Sequence, residues 1–278
     1  MDTPAYRQLA DDLRTGITTG QYPPGTTLPK ITDLAAQYGI SKQTAREAVT
    51  LLEEEGLVEV VRRRGTVVRA LPERRRLSRS RQVHRDERGY FFDPTAQPWI
   101  ALFKPTVGWG PVPRDIGAVL GVLSHDEVLV RDRLMGTPDT REPTQIATSY
   151  LPAAVARGTR LAEADTGPGG IYDILEHDLG HGPLAWHETI TCRMPAPDEA
   201  ARLELSKGVP LLRIVRVTTS PSGAVVEVND TRMSAEKFEI GYPLTRHSAA
   251  AWPVQHLAGP TSPSSTAPSP PTAPSTCS

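Results

Sequence analysis

The chain has 278 residues, 38% hydrophobic and 23% charged, a balance that fits soluble globular domains and excludes a membrane-embedded or wholly disordered chain. The start, "MDTPAYRQLADDLRTG", has no apolar signal core, and Cys192 and Cys277 give neither a zinc spacing nor a disulfide framework; we expect a cytoplasmic protein without metal or cofactor. The net charge of −1 hides an asymmetry: residues 1–90 carry +4 and the rest −5, with 11 arginines against three acids in 60–88, so one half is suited to meet a polyanion.

Residues 4–19 repeat Tyr6, Leu9, Leu13 and Ile17 at helical spacing. "GQYPPGTTL" is a Gly/Pro loop. Residues 31–38 then carry Ile31, Leu34, Ala35 and Tyr38 as one apolar stripe, and Gly39 suits the position just past the helix end. Ser41 is a good N-cap for a third helix over 42–55, which Gly56 ends. Two short helices meeting at a glycine turn are a helix-turn-helix layout. "LVEVV" and "GTVVRA" flank three arginines and read as a hairpin.

Residues 71–98 read as an arginine-rich linker whose later part, "GYFFDPTAQPW", has aromatics suited to docking. From about 105 to 245 the pattern is α+β. Strands are expected at 127–135, 144–152, 187–195, 211–220 and 225–233, with helices at 115–122, 170–179 and 197–206. Few helices between many strands favour a largely antiparallel sheet with helices packed on it. The end, 247–278, is dominated by Pro, Ser, Thr and Ala and is expected to be disordered.

If Ala45, Ala48, Val49 and Leu52 pack on the 31–38 stripe, then Lys42, Gln43 and Arg46 face outward. Such a side is either an ordinary solvated face or a reading face. The basic and amide residues stand in the first two turns while Glu53, Glu54 and Glu55 gather at the far end, and an arginine hairpin follows. A recognition helix meets base edges with its N-terminal part. Arg and Lys suit guanine acceptors and Gln suits adenine, while Ser41 and Thr44 can offer hydroxyl and backbone donors to a phosphate.

The motifs "PPGTTLP", "LAAQYGISKQTAREAV", "LLEEEGLV" and "RGTVV" resemble the winged helix-turn-helix domain of GntR-family transcription regulators across residues 4–69. The resemblance implies operator contacts from Ser41, Lys42, Gln43, Thr44 and Arg46, and from the wing at Arg63, Arg64 and Gly65. Two departures stand out. Lys30-Ile31 replaces the usual Ser-Glu start of the second helix, with Thr32 where some members carry a contacting arginine. Arg63 stands where the wing tip usually has glycine.

Arg131 and Arg133, two apart in a strand, share a face. They can hold a carboxylate or phosphate in bidentate fashion, or form ion pairs with glutamates. "VLVRDRL", "ATSYLP", "GGIYDILEHDLGHG", "HETITCRMPAPDEAARLEL", "GVPLLRIVRV" and "VVEVNDTRMSAEKFE" are similar, in order, to the UTRA effector domain of the HutC branch. That similarity implies a chorismate-lyase-like fold and an effector site at Arg131, Arg133, Gly170, Tyr172, Glu227 and Arg232. His181 and His187 lack metal-spaced partners, and no nucleophile elbow or P-loop occurs, so no catalytic residue is assigned.

The sequence thus reads as an α+β chain in four parts: a winged helix-turn-helix domain at 1–70, a linker at 71–98, an effector-binding and dimerisation domain at 99–246, and a tail at 247–278. The function expected is a homodimeric regulator, a repressor released from a pseudo-palindromic double-stranded DNA operator by a small acidic or phosphorylated effector. Two alternatives are a regulator of conjugative-element transfer genes whose second domain mainly dimerises, and a chorismate-lyase-like enzyme.

Overall fold

The computed structural model describes residues 3–70, 72–87, 91–92, 99–123 and 125–247, with 91–92 as backbone only. Contacts divide the chain into residues 1–242 and 243–278. The described part of the second unit, 243–247, has neither helix nor strand. The tail from 248 onward, and most of "GYFFDPTAQPW", lie outside the described residues.

Three helices open the chain: α1 (Ala5–Thr18), α2 (Ile31–Tyr38) and α3 (Lys42–Glu54). Their apolar stripes converge on one core in which Leu9, Ala10, Leu34, Ala45, Ala48 and Leu52 are almost wholly buried. Truncating a leucine in such a site costs about 2–5 kcal/mol. Gly39 adopts φ +63° and lets the chain turn sharply between α2 and α3. Ser41 caps α3, its Oγ accepting from the Thr44 backbone N–H at 3.0 Å. Lys30, at the N-cap of α2, offers no such side-chain bond. Strands β1 (Val58–Val61) and β2 (Gly65–Val68) pair as an antiparallel hairpin.

Further strands are β3 (Arg75–Ser78), β4 (His84–Arg85), β5 (Phe91–Phe92), β6 (Ile100–Ala101) and β7 (Thr106–Gly110). After α4 (Arg114–Leu120) come β8 (Val128–Gly136), β9 (Pro143–Pro152), α5 (Ala153–Ala156) and α6 (Gly170–Asp173), which runs on as a π-turn over Ile174–Asp178. The rest is β10 (Ala185–Arg193), α7 (Pro197–Arg202), β11 (Leu211–Thr219), β12 (Val225–Ser234) and β13 (Phe238–Gly241). The main sheet, seven strands among the described residues, has the order β10-β11-β12-β9-β8-β6 with β7 also on β8, and every pair is antiparallel.

Register fixes what each face carries, because residues opposite one another share a face. One row across the sheet is Arg131, Ser149, Asn229, Arg216 and Glu188; the next has Arg133, Ala147, Thr231 and Ile214. The other face carries Asp132, Thr148, Asp230, Arg213 and Arg232. Helix α4 covers this second face through Ile116 and Leu120 against Val128, Tyr150 and Val228. Helix α7 extends the cover: its Arg202 pairs with Asp132, and its Glu199 with Arg232.

The winged unit seats on the sheet-bearing part. Arg69 donates to Glu236 at 2.6 Å with both side chains nearly buried, and Lys207 pairs with Glu53 at 2.9 Å. Gly208, at φ +75°, lies so close to Gly56 that an added Cβ would meet the Gly56 nitrogen at 2.5 Å.

Candidate DNA-reading surface and effector cavity

Helix α3 buries Ala45, Ala48, Val49 and Leu52 and leaves Ser41, Lys42, Gln43, Arg46 and Thr50 exposed, with Thr44 half-buried. Gln43 donates to Glu47 at 3.2 Å, one turn on. The hairpin tip presents Arg62, Arg63, Arg64 and Gly65, all exposed. Arg63 takes φ +68° and Gly65 φ +98°. The first is a left-handed conformation that an arginine adopts at a cost on the order of 1 kcal/mol. Arg64 is tied back, its Nη2 donating to the Gly25 carbonyl at 2.7 Å. Thr32 sits at the exposed start of α2, its hydroxyl donating to Asp33 at 3.0 Å. The sequence-derived contacts on α3, the wing and Thr32 are therefore exposed, except Thr44, which is half-buried.

On the sheet, a cavity of about 1020 Å³ lies over the first face, at the upper end of the size range of small-molecule sites. Arg131, Arg133, Gly170, Tyr172 and Glu227 all line it. Arg232 does not, which corrects the sequence assignment. It stands an odd number of residues from Glu227, so strand alternation turns it to the opposite face. There its Nη1 meets Glu199 at 3.1 Å and its Nη2 donates to Thr148.

The two arginines of the R-x-R pair differ. Arg131 is buried, and its guanidinium donates to the carbonyls of Leu161 (2.6 Å), Glu163 and Ala164 (3.2 Å), so it holds a loop. Burial, with Arg133 beside it, pulls its pKa below the ordinary arginine value. Arg133 donates one bond to the Ser149 hydroxyl at 3.0 Å and has a buried Nε with no partner.

Glu227 is wholly buried at the cavity floor. One carboxyl oxygen accepts from Thr218 (2.6 Å) and from Tyr172 (3.2 Å); the other, Oε1, has no partner. Burial pushes the Glu227 carboxyl up, and burial together with Glu227 pushes the Tyr172 hydroxyl up to about 12. Burial favours the protonated form, and in that form the acid can donate to a bound molecule as well as accept from it.

Sequence reasoning missed Arg216, which lines the cavity and is engaged by Glu188 at 2.6 Å. It also missed the linker's part of the wall, Leu77, Arg79 and Asp86. No local signal marks these residues, because the pairings that bring them in are long-range.

The family model for bacterial regulatory proteins of the gntR family matches residues 5–68, and that for the UTRA domain matches residues 106–239. An HTH-type transcriptional regulator of Streptomyces coelicolor is 32% identical over 235 residues, covering 81% of this chain and 86% of that protein. The chain belongs to the GntR family. It has the HutC-type architecture, a helix-turn-helix domain followed by a UTRA domain. Similarity extends to the regulator Rv0792c of Mycobacterium tuberculosis, 30% identical over 87% of each chain. The repressor NagR of Bacillus subtilis is 25% identical over 81% of this chain and 88% of its own. A crystal structure of a GntR-family transcriptional regulator superposes with a TM-score of 0.59 at 27% identity, covering 88% of this chain and 99% of its own. This GntR-family chain is a DNA-binding transcription regulator with an effector domain. No helix among the described residues is long and apolar enough to cross a membrane.

Proposed function

We propose that the protein is a cytoplasmic, homodimeric repressor that grips a pseudo-palindromic operator with α3 and the wing and lets go when a small acidic or phosphorylated molecule enters the sheet cavity. The domain division follows the sequence reading: DNA binding by 1–70, a transmitting linker at 71–98, and effector binding and dimerisation by 99–246. The observation that carries the sensor half is the unused donor on Arg133 in the same cavity as Glu227, whose buried Oε1 also has no partner, in a space of ligand size. A buried N–H without a partner costs about 1–3 kcal/mol, which a bound anion offsets.

Arg133 is then the group that faces the ligand, with Gly170, Tyr172 and Glu227 around it, and Arg131 shapes the site by holding the 161–164 loop. Arg46 and Lys42 read base edges in the major groove. Arg62 and Arg63 meet the backbone or minor groove, and Arg64 holds the base of the wing. Because NagR is a repressor by name, repression is the sign we assign. A ligand regulates only if it binds the DNA-competent and incompetent arrangements unequally.

Selection of binding sites from random-sequence DNA, followed by anisotropy titration, tests the DNA half. A two-fold symmetric site is expected, and Arg46→Ala should weaken its binding by about 1–3 kcal/mol while relaxing preference at one base pair per half-site. Enrichment of no site, or equal affinity of the variant, would refute it.

A further inference from the structure

One wall of the cavity comes from outside the main sheet. Strand β3 pairs in parallel with β13, from Arg75 opposite Phe238 to Ser78 opposite Gly241. Arg79 continues the ladder by donating its backbone N–H to the Gly241 carbonyl at 2.8 Å. Alternation along this strand sends Leu77 and Arg79 into the cavity, whereas Arg76 points away and pairs with Glu239 at 2.5 Å. Arg79 thus reaches the cavity with a buried, unpartnered Nε, as Arg133 does from the sheet. The cavity's other two arginines are engaged, Arg131 by backbone carbonyls and Arg216 by Glu188.

The charge count points the same way. Five cationic side chains line the cavity against four carboxylates, one of which, Glu227, is pushed up by burial, so the lining carries an excess of positive charge. Uncompensated charge of one sign in a partly desolvated site favours a ligand of the opposite sign, and the two arginines with an unused donor, Arg79 and Arg133, offer it two charges to meet.

We propose that Arg79 is a ligand-binding residue which, with Arg133, clasps a doubly charged oxyanion, a phosphate monoester or a dicarboxylate, so that the ligand bridges the linker strand and the effector sheet. The proposal rests on the effector-cavity reading above and adds to it a linker residue and a ligand charge. Its consequence is mechanical. β3 begins seven residues after β2 ends, so a ligand that draws β3 toward the sheet acts on the segment that carries the wing.

The test uses the full-length protein with inorganic phosphate and succinate as dianion probes and chloride as the ionic-strength control. Thermal shift gives apparent affinity, and hydrogen exchange reports on residues 75–79 and 238–241. Wild type should be stabilised by at least one dianion above the chloride baseline and gain protection in both segments. Arg79→Ala and Arg133→Ala should each weaken that response at least about tenfold, the loss of one charge-assisted hydrogen bond. Arg79→Met keeps the apolar stem and should lose the response likewise, while Arg76→Ala should keep it. Phosphate responding without succinate, or the reverse, identifies the source of the oxyanion and supports the clasp. If Arg133→Ala loses the response and Arg79→Ala keeps it, the linker assignment is overturned and the cavity reading stands. If no dianion moves the wild type beyond chloride, both fail.

Discussion

The two faces of the main sheet carry similar numbers of charges and use them in opposite ways. On the helix-covered face each acid meets an arginine. Asp115 and Asp230 flank Arg213 at 2.6 and 3.0 Å, Glu199 takes Arg193 at 2.6 Å and Arg232 at 3.1 Å, and Asp132 takes Arg202. On the cavity face the Nε atoms of Arg79 and Arg133 and the Oε1 of Glu227 have no hydrogen-bond partner; on the covered face the Nε of Arg232 also lacks one, but Asp230 stands 3.9 Å from it. The two buried glutamates express the difference. Burial works to raise both. At Glu199 the paired N–H groups of Arg193 and the Ala196 backbone N–H outweigh it and bring the carboxyl down to about 2, whereas at Glu227 burial wins and the carboxyl is pushed up. Charges that answer one another hold a fold together; charges left unanswered in a cavity mark where something else binds.

The largest effect that would break this comparison lies on the paired face. Glu199→Ala removes the carboxylate that bonds both Arg193 and Arg232 and should destabilise the protein by about 3 kcal/mol or more, read by urea unfolding. An equal loss from Glu227→Ala would erase the contrast between the faces. Next, the two acids should respond to pH in opposite directions. Glu199, lowered in the fold, contributes stability that is present above the ordinary carboxylate range and lost as pH falls toward about 2. Glu227, raised in the fold, loses stability as pH climbs above that range. Glu227→Gln should therefore raise the Tm at pH 8, with the gain shrinking toward pH 4.5; a Tm gain independent of pH would contradict the upward shift of Glu227. The smallest effect is expected at the exposed pair Arg76–Glu239, where Arg76→Ala should shift stability by no more than about 0.5 kcal/mol.

Much of this was legible in the sequence, for local reasons. The helical stripes of 4–19, 31–38 and 42–55 put Leu9, Leu34 and Leu52 in one core and left Arg46 outside. The two-residue spacing of Arg131 and Arg133 placed both over one cavity. Strand parity also separates Glu227 from Arg232, a signal that resemblance to relatives overrode. What remained hidden depends on distant pairings. The ladder of 75–78 against 238–241 carries Arg79 and Leu77 into the cavity. Arg64 finds the Gly25 carbonyl 39 residues away, and Arg131 finds carbonyls some 30 residues on. A spacing rule reports which side chains share a face, and only the fold reports which of them already have partners.

The central claim is that the cavity face senses an anion and the helix-turn-helix unit answers it. Adding phosphate or succinate to a preformed complex with a selected operator, and following anisotropy at constant ionic strength, measures this directly. The account predicts that one of these dianions releases the wild-type protein and leaves the Arg133→Ala complex in place. Equal release of both proteins, or release of neither, would contradict it.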